Sequence, residues 1–131
     1  MKKIICTLLC VFSVSLIAQA QQAAPQGFDL ERALGSTGKI DSIVYPSKTV
    51  GVMRKALIYT PPGYNAAKKY PVMYLLHGIG GDEREWFRHG TPQVIFDNLY
   101  AEGKMEPMLV IMPNGRAMKD FSKLKIYTYQ F

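Results

Sequence analysis

Two segments in the first half of the chain alternate apolar and polar residues, as strands with one buried face do. Residues 39–45 are rich in β-forming side chains and end at Pro46. Residues 52–60 repeat the alternation and end in the turn-forming sequence of residues 60–63. This pattern predicts an antiparallel pair of edge strands.

Two later segments are apolar without interruption, which is typical of strands covered on both faces. They comprise residues 71–76 and 107–112. Between them, residues 92–102 have helical periodicity, with Thr91 suited to the N-cap and Gly103 to the position past the end. The predicted apolar stripe of this helix consists of Ile95, Phe96, Leu99 and Tyr100. Strand, helix and strand in this order predict a parallel βαβ unit and an α/β fold.

The N-terminal residues have the organisation of a secretory signal peptide. Two lysines follow Met1, an apolar run covers residues 4–17, and Ala18-Gln19-Ala20 supplies a small-x-small site. We expect cleavage after Ala20 and a secreted or periplasmic protein with no membrane association; the alternative is a buried N-terminal helix. Because Cys6 and Cys10 both lie in this segment, the mature chain would have no disulfide.

The net charge of +6 is concentrated at the two ends of the chain. Removing Lys2 and Lys3 leaves 14 basic against 10 acidic residues, and the stretch 21–114 carries only +1. No basic cluster favours nucleic acid, so the expected partner is a small or neutral molecule. Two isolated histidines and scattered carboxylates lack metal-ligand spacing, and no cofactor is expected.

The chemistry concentrates in the loop at residues 76–82, which leaves the carboxyl end of a predicted parallel strand, where ligands bind in α/β sheets. Glycine occupies three of the four positions 78–81, so the backbone can adopt positive φ and approach a ligand closely. Such a turn can direct N–H groups at a tetrahedral oxyanion, with each donor contributing about 3 kcal/mol.

Other interpretations of this loop stay open from the motif alone. A plain glycine-rich turn is one; a dinucleotide site is weaker, because Glu83 stands where the last glycine of Gly-x-Gly-x-x-Gly is required. His77 is expected to brace the loop rather than act as a base. Residues 82–85 are expected to be a solvated helix start, and Trp86 either lines a substrate wall or packs in the core.

Several motifs in order resemble the family called "Putative esterase", which includes feruloyl esterases of xylan degradation. They are residues 59–64, 70–83 with Trp86, 97–104 and 110–115, and the resemblance covers residues 38–119. It implies the N-terminal part of an α/β-hydrolase fold, incomplete here, and a serine esterase with a Ser-His-Asp triad. In that fold one oxyanion donor comes from this loop.

The resemblance implies Ile79 and Gly80 as oxyanion donors, with Ile79 the better candidate, and His77, Gly78 and Gly81 as loop support. No catalytic residue is assigned, because no Gly-x-Ser-x-Gly motif occurs in the 131 residues. The expected layout is a signal peptide at 1–20, a flexible lead at 21–37, the esterase part at 38–119 and a divergent tail at 120–131.

Two functional hypotheses follow. The first is a secreted serine carboxylic-ester hydrolase of feruloyl or acetyl type, acting on plant cell-wall polysaccharide esters and interrupted before its nucleophile. The second is a catalytically inactive remnant or a small secreted domain that binds saccharide or aryl groups. A half-built sheet would also leave an apolar strand edge unpaired, so we expect low stability for the chain alone.

Overall fold

The computed structural model describes residues 23–120. The predicted signal peptide at residues 1–20 and residues 121–131 of the predicted tail lie outside this part of the chain. Within it, no helix is long and apolar enough to cross a membrane.

One four-stranded sheet organises the described residues, with the strand order β1-β2-β4-β3. The pairs β1/β2 and β2/β4 are antiparallel, and β3/β4 is parallel. The elements are β1 (Lys39–Ser47), β2 (Val52–Thr60), β3 (Val72–Tyr74), α1 (Glu85–His89), α2 (Pro92–Ala101) and β4 (Leu109–Pro113). The predicted α/β class, with an antiparallel pair followed by a parallel strand–helix–strand unit, is confirmed.

A tight turn sets the register of the β1/β2 hairpin. Ser47 pairs with Val52 and Lys39 with Thr60, so the two strands are matched along their full length. The N–H of Gly51 donates to the carbonyl of Ser47 at 2.7 Å, with Gly51 at φ +73°. A side chain would strain that backbone conformation, which explains glycine at this position.

The hydrophobic core lies on the two central strands, because each of these has a neighbouring strand on both sides. Its buried side chains are Ala56, Leu57 and Tyr59 on β2 with Val110 and Met112 on β4. The ring of Tyr59 lies 5.1 Å from that of Phe96, which ties α2 to the sheet.

A buried polar contact fixes the position of α2 more specifically. The hydroxyl of Tyr59 donates to Asp97 Oδ1 at 2.9 Å, and the N–H of Gly38 donates to the same oxygen at 2.8 Å. Burial, reinforced by the Asp97 carboxylate, raises the pKa of Tyr59, so the hydroxyl stays protonated and able to donate. A Cβ at Gly38 would lie 2.3 Å from the Tyr59 ring, so only glycine fits there.

The buried face of α2 differs from the predicted apolar stripe. The stripe residues are only half-buried, whereas Pro92, Asp97 and Asn98 are buried. The polar side chains are tolerated because they pair with preceding backbone: Asn98 Nδ2 donates to the carbonyls of Phe28 and Leu30.

The segment at residues 21–37, expected to be a flexible lead, therefore contacts α2 in its described part. Arg32 adds an ion pair with Glu102 just past the helix end. Thr91 occupies the N-cap position, but its hydroxyl donates to the carbonyl of Asp29 instead of capping the helix. The preceding segment therefore holds the N-terminal end of α2 in place.

The prediction that residues 71–76 form a strand covered on both faces is wrong for the described part of the chain. Only three of these residues form β3, and Val72, Met73 and Tyr74 are all exposed. The reason is topological: β3 pairs with β4 alone and is an edge of the described sheet. An exposed apolar edge favours association with other strands.

We predict that Tyr59→Phe lowers the free energy of unfolding by about 1–3 kcal/mol, because a buried carboxylate loses one of its two donors. Urea denaturation followed by circular dichroism measures this change. Tyr74→Phe is the matched control, because the side chain of Tyr74 is exposed. Equal stability of the two variants would show that the Tyr59 hydroxyl does not anchor α2.

We also predict that the 131-residue chain self-associates through β3, and that Tyr74→Lys shifts it toward the monomer in analytical ultracentrifugation. A charge on an edge strand opposes pairing with another chain. The control is Met53→Lys, since Met53 is exposed on the central strand β2. If Met53→Lys disperses the chain equally, general solubility rather than the β3 edge is responsible.

Candidate functional site

The glycine-rich loop lies between β3 and α1, beside the turn that follows β4. Because β3 and β4 are parallel, their carboxyl ends meet at one edge of the sheet. The N–H of Leu75 continues the pairing by donating to the carbonyl of Ile111 at 2.9 Å. Two segments more than thirty residues apart in sequence therefore form one site.

The loop itself closes in a tight turn. The N–H of Gly81 donates to the carbonyl of Gly78 at 3.1 Å, and Gly80 has φ +77°. That left-handed conformation favours glycine. Ile79, at the tip of the turn, is 96 % exposed and therefore does not pack in the core.

His77 connects the two loops through both ring nitrogens. Its Nε2 accepts from the N–H of Gly115 at 3.0 Å, so the proton of the neutral ring is on Nδ1. Nδ1 then donates to the carbonyl of Gly78 at 2.8 Å. This geometry is that of a brace, and a ring engaged at both nitrogens is not placed to accept a proton from a nucleophile.

Arg116 holds the far side of the same turn. Its Nε donates to the carbonyl of Gly81 at 2.7 Å and its Nη2 to that of Gly80 at 3.1 Å. Arg54, on β2, donates in turn to the carbonyl of Arg116 at 2.9 Å. The sequence analysis missed Arg116 and Arg54, although the Asn-Gly turn after a parallel strand was a usable signal.

Glu85 packs against the glycines from the first turn of α1. Its Oε1 accepts from the N–H of Gly78 at 3.1 Å. A Cβ on Gly81 would lie 1.5 Å from Oε2, so a side chain at that position would displace the carboxylate. Glycine at 81 is thus explained by the close approach of Glu85.

The expectation that residues 82–85 form a solvated helix start is wrong for Glu83. Glu83 is buried, and its Oε2 accepts from Asn114 Nδ2 at 2.9 Å, which adds another link between the two loops. Asp82, in contrast, is partly exposed and lies just before α1, as expected. Its burial opposes ionisation, but hydrogen bonds from the Arg88 guanidinium and the Arg84 N–H keep its pKa below the usual range.

After these contacts, the two adjacent N–H groups at the tip of the loop are left without a partner among the described residues. In the described part of the chain, neither Ile79 nor Gly80 donates a backbone hydrogen bond. The carbonyls of Gly78, Gly80 and Gly81 are instead all engaged by donors. A turn with its carbonyls bound and its N–H groups available has the polarity that an anion requires.

Trp86 stands at the base of the loop. Its indole N–H donates to the carbonyl of Leu76 at 2.9 Å, and 41 % of the residue is exposed. With Phe28, His89 and Ile95 it lines an open hollow. No group of three or more His, Cys, Asp or Glu side chains that could hold a metal occurs among residues 23–120.

The segment that contains this loop matches a known protein family. The family model described as "Putative esterase" matches residues 47–129. The chain belongs to this family. The match includes β2, the glycine-rich loop, both helices and β4.

Curated relatives share the segment at moderate identity. The chain is 38 % identical over 98 residues to an endo-1,4-beta-xylanase/feruloyl esterase of Xylanibacter ruminicola, a match that covers 71 % of this chain and 14 % of the relative. It is 39 % identical over 57 residues to endo-1,4-beta-xylanase Y of Acetivibrio thermocellus, covering 43 % and 5 %. The chain thus spans a small part of these relatives.

Solved structures of esterases have a similar fold. The CE1 ferulic acid esterase of Anaeromyces mucronatus in complex with ferulic acid matches with a TM-score of 0.69 and 28 % identity, over 80 % of this chain and 39 % of that one. The feruloyl esterase module of Clostridium thermocellum complexed with sinapinate matches with a TM-score of 0.60 and 30 % identity, over 69 % and 31 %.

We predict that Arg116→Met speeds amide hydrogen exchange at Gly81 by about tenfold, because losing two hydrogen bonds to the turn makes its local opening easier. Exchange followed by NMR measures this rate. Arg84→Met is the control, since Arg84 lies exposed beside the same loop. Unchanged exchange in Arg116→Met would mean that the glycines, without the guanidinium, hold the turn.

Proposed function

We propose that this chain forms the oxyanion-binding part of a serine carboxylic-ester hydrolase that removes feruloyl-type acyl groups from plant cell-wall polysaccharides. One observation carries the proposal: His77 and Arg116 engage the glycine carbonyls of the loop after β3, whereas the N–H groups of Ile79 and Gly80 have no partner in the described residues. Membership in an esterase family whose relatives include feruloyl esterases supports it.

The loop would act when a nucleophile attacks the ester carbonyl. The carbonyl oxygen then becomes an anion, and a donor already directed at it stabilises the transition state by about 3 kcal/mol without reorganisation. In α/β hydrolases one such donor comes from the loop after the third strand and the second from the residue after the nucleophile. We assign the first role to the N–H of Ile79, with Gly80 as the neighbouring candidate.

His77, Gly78 and Gly81 have supporting roles in this proposal. His77 and Arg116 hold the carbonyls away from the anion, where an oxygen would repel it. Glu85 occupies the N–H of Gly78, so that group is not a donor to substrate. The activated serine and its histidine would come from residues that correspond to the rest of the related catalytic domains.

The substrate class follows from the relatives and from the partly exposed indole at the loop base. Ferulic acid esterases are among the structural matches, and Trp86 presents a flat apolar surface near the strand end. We assign Trp86 to the wall that contacts the aryl group of the acyl chain. A polysaccharide substrate lies outside the cell, which agrees with the signal peptide expected at residues 1–20.

The second candidate function is binding of a saccharide or aryl group without turnover. The observation that favours it is the partly exposed indole of Trp86, which lines an open hollow together with Phe28 and Ile95. The two functions differ in whether the loop can support catalysis once a nucleophile is present.

The decisive experiment is a chimera in which residues 38–119 replace the matching segment of the Anaeromyces mucronatus ferulic acid esterase. We expect it to hydrolyse methyl ferulate. Ile79→Pro in the chimera removes one N–H and should lower kcat about 10²–10³-fold with KM little changed. Ile79→Ala, which retains the N–H, is the matched control and should keep its kcat.

Two results would contradict the proposal, and they are distinguishable. A folded chimera without hydrolysis would favour the binding function for these residues. Equal kcat in folded Ile79→Pro and Ile79→Ala chimeras would show that esters are cleaved without the Ile79 donor.

A further inference from the structure

The turn that follows β4 contains an asparagine followed by a glycine, Asn114 and Gly115. In such a pair the backbone nitrogen of the glycine can attack the side-chain amide of the asparagine, because glycine has no Cβ to hinder the approach. The reaction releases ammonia and converts asparagine to aspartate or isoaspartate. The surroundings of Asn114 therefore decide whether this part of the candidate site is chemically stable.

The side chain of Asn114 is folded back along the chain. Its Oδ1 accepts from the N–H of Arg116, two residues further on, at 3.3 Å, which is the geometry of an Asx turn. Asn65 forms the same kind of turn, with its Oδ1 2.9 Å from the backbone nitrogen two residues further on. The two turns differ in the next residue, which is Gly115 in one and Ala66 in the other. Asn65 is therefore a control within the same chain.

Neither the backbone conformation nor the packing requires glycine at position 115. Gly115 is exposed and is not among the glycines with positive φ. In the described part of the chain, an added Cβ would meet only Nε2 of His77, at an ordinary contact distance of 3.6 Å. An alanine there would also keep the N–H that donates to His77. The fold therefore tolerates a substitution that hinders attack on Asn114.

Conversion of Asn114 would remove a contact that joins the two loops. Its Nδ2 donates to Oε2 of Glu83 at 2.9 Å, and Glu83 is only 8 % exposed. Aspartate at position 114 would present a second carboxylate to this buried acid with no donor between them, so an attraction would become a repulsion. Isoaspartate would in addition lengthen the backbone between β4 and Gly115 by one carbon atom.

We propose that Asn114 and Gly115 form a deamidation site whose reaction unlocks the glycine-rich loop. The nitrogen of Gly115 loses its proton to water and bonds to Cγ of Asn114. The Cγ–Nδ2 bond breaks, and the departing nitrogen takes up a proton and leaves as ammonia. Water then opens the succinimide ring at either carbonyl. The bonds of these groups to His77 and Glu83 open before the ring closes, so local opening of the turn limits the rate.

The test is peptide mapping by mass spectrometry of the full 131-residue chain during incubation in mildly alkaline buffer. We expect Asn114 to convert to aspartate and isoaspartate while Asn65 stays intact. Gly115→Ala should slow the conversion at least several-fold, because its Cβ hinders ring closure. Ala66→Gly is the converse variant, and it should make Asn65 convertible.

The proposal is overturned if Asn114 converts no faster than Asn65. It is equally overturned if Gly115→Ala, folded by circular dichroism, converts at the rate of the unmodified chain.

The effect on the loop is measured with Asn114→Asp, which reproduces one product at nearly unchanged size. We expect it to speed amide hydrogen exchange at Gly81 about tenfold, because a contact between the loops is lost. Asn65→Asp is the matched control and should leave this exchange unchanged. Equal exchange in the two variants would show that deamidation leaves the loop locked, which contradicts the proposal. Neither measurement depends on ester hydrolysis.

Discussion

Parallel pairing of β3 with β4 is the constraint on which the candidate site depends. It places the glycine-rich loop and the turn at residues 114–116 at the same edge of the sheet. Three contacts then cross between them: His77 to Gly115, Arg116 to the glycine carbonyls, and Glu83 to Asn114. Each satisfies a polar group that the turn would otherwise leave unpaired, so the loop has a defined shape even though it is partly exposed.

These contacts divide the backbone groups of the loop by polarity. The glycine carbonyl oxygens are held by a guanidinium, an imidazole and an amide, whereas the N–H groups of Ile79 and Gly80 at the tip have no partner among the described residues. The glycines make this possible for separate reasons: Gly80 because of its positive φ, and Gly81 because the Glu85 carboxylate occupies the space of a Cβ. The loop is therefore an arrangement of dipoles fixed in advance, which is what stabilisation of a transient anion requires.

The region around α2 is held together mainly by polar contacts. Helix α2 is held on the sheet by Asp97 and on the preceding segment by Asn98, with apolar contacts only half-buried. An open hollow lies between this helix and the preceding segment.

The sequence by itself determined the order of the elements, the boundaries of β1 and β2, the start of α2 and the location of the glycine-rich loop. Periodicity, Pro92 and the glycines encode these features locally, within a few neighbouring residues. The family resemblance was equally accessible, because its motifs are contiguous.

Only the tertiary structure decided which residues complete the site. Arg116 and Gly81 lie 35 positions apart, and nothing in the local pattern distinguishes this arginine from a solvated one. The same holds for Asp97 and Asn98, whose burial depends on hydrogen bonds to Gly38 and to Phe28. An uninterrupted apolar run likewise predicted a covered β3, but cover depends on which strands flank it. Side-chain pattern specifies the face that an element can bury, whereas the partner that buries it is set by contacts distant in sequence.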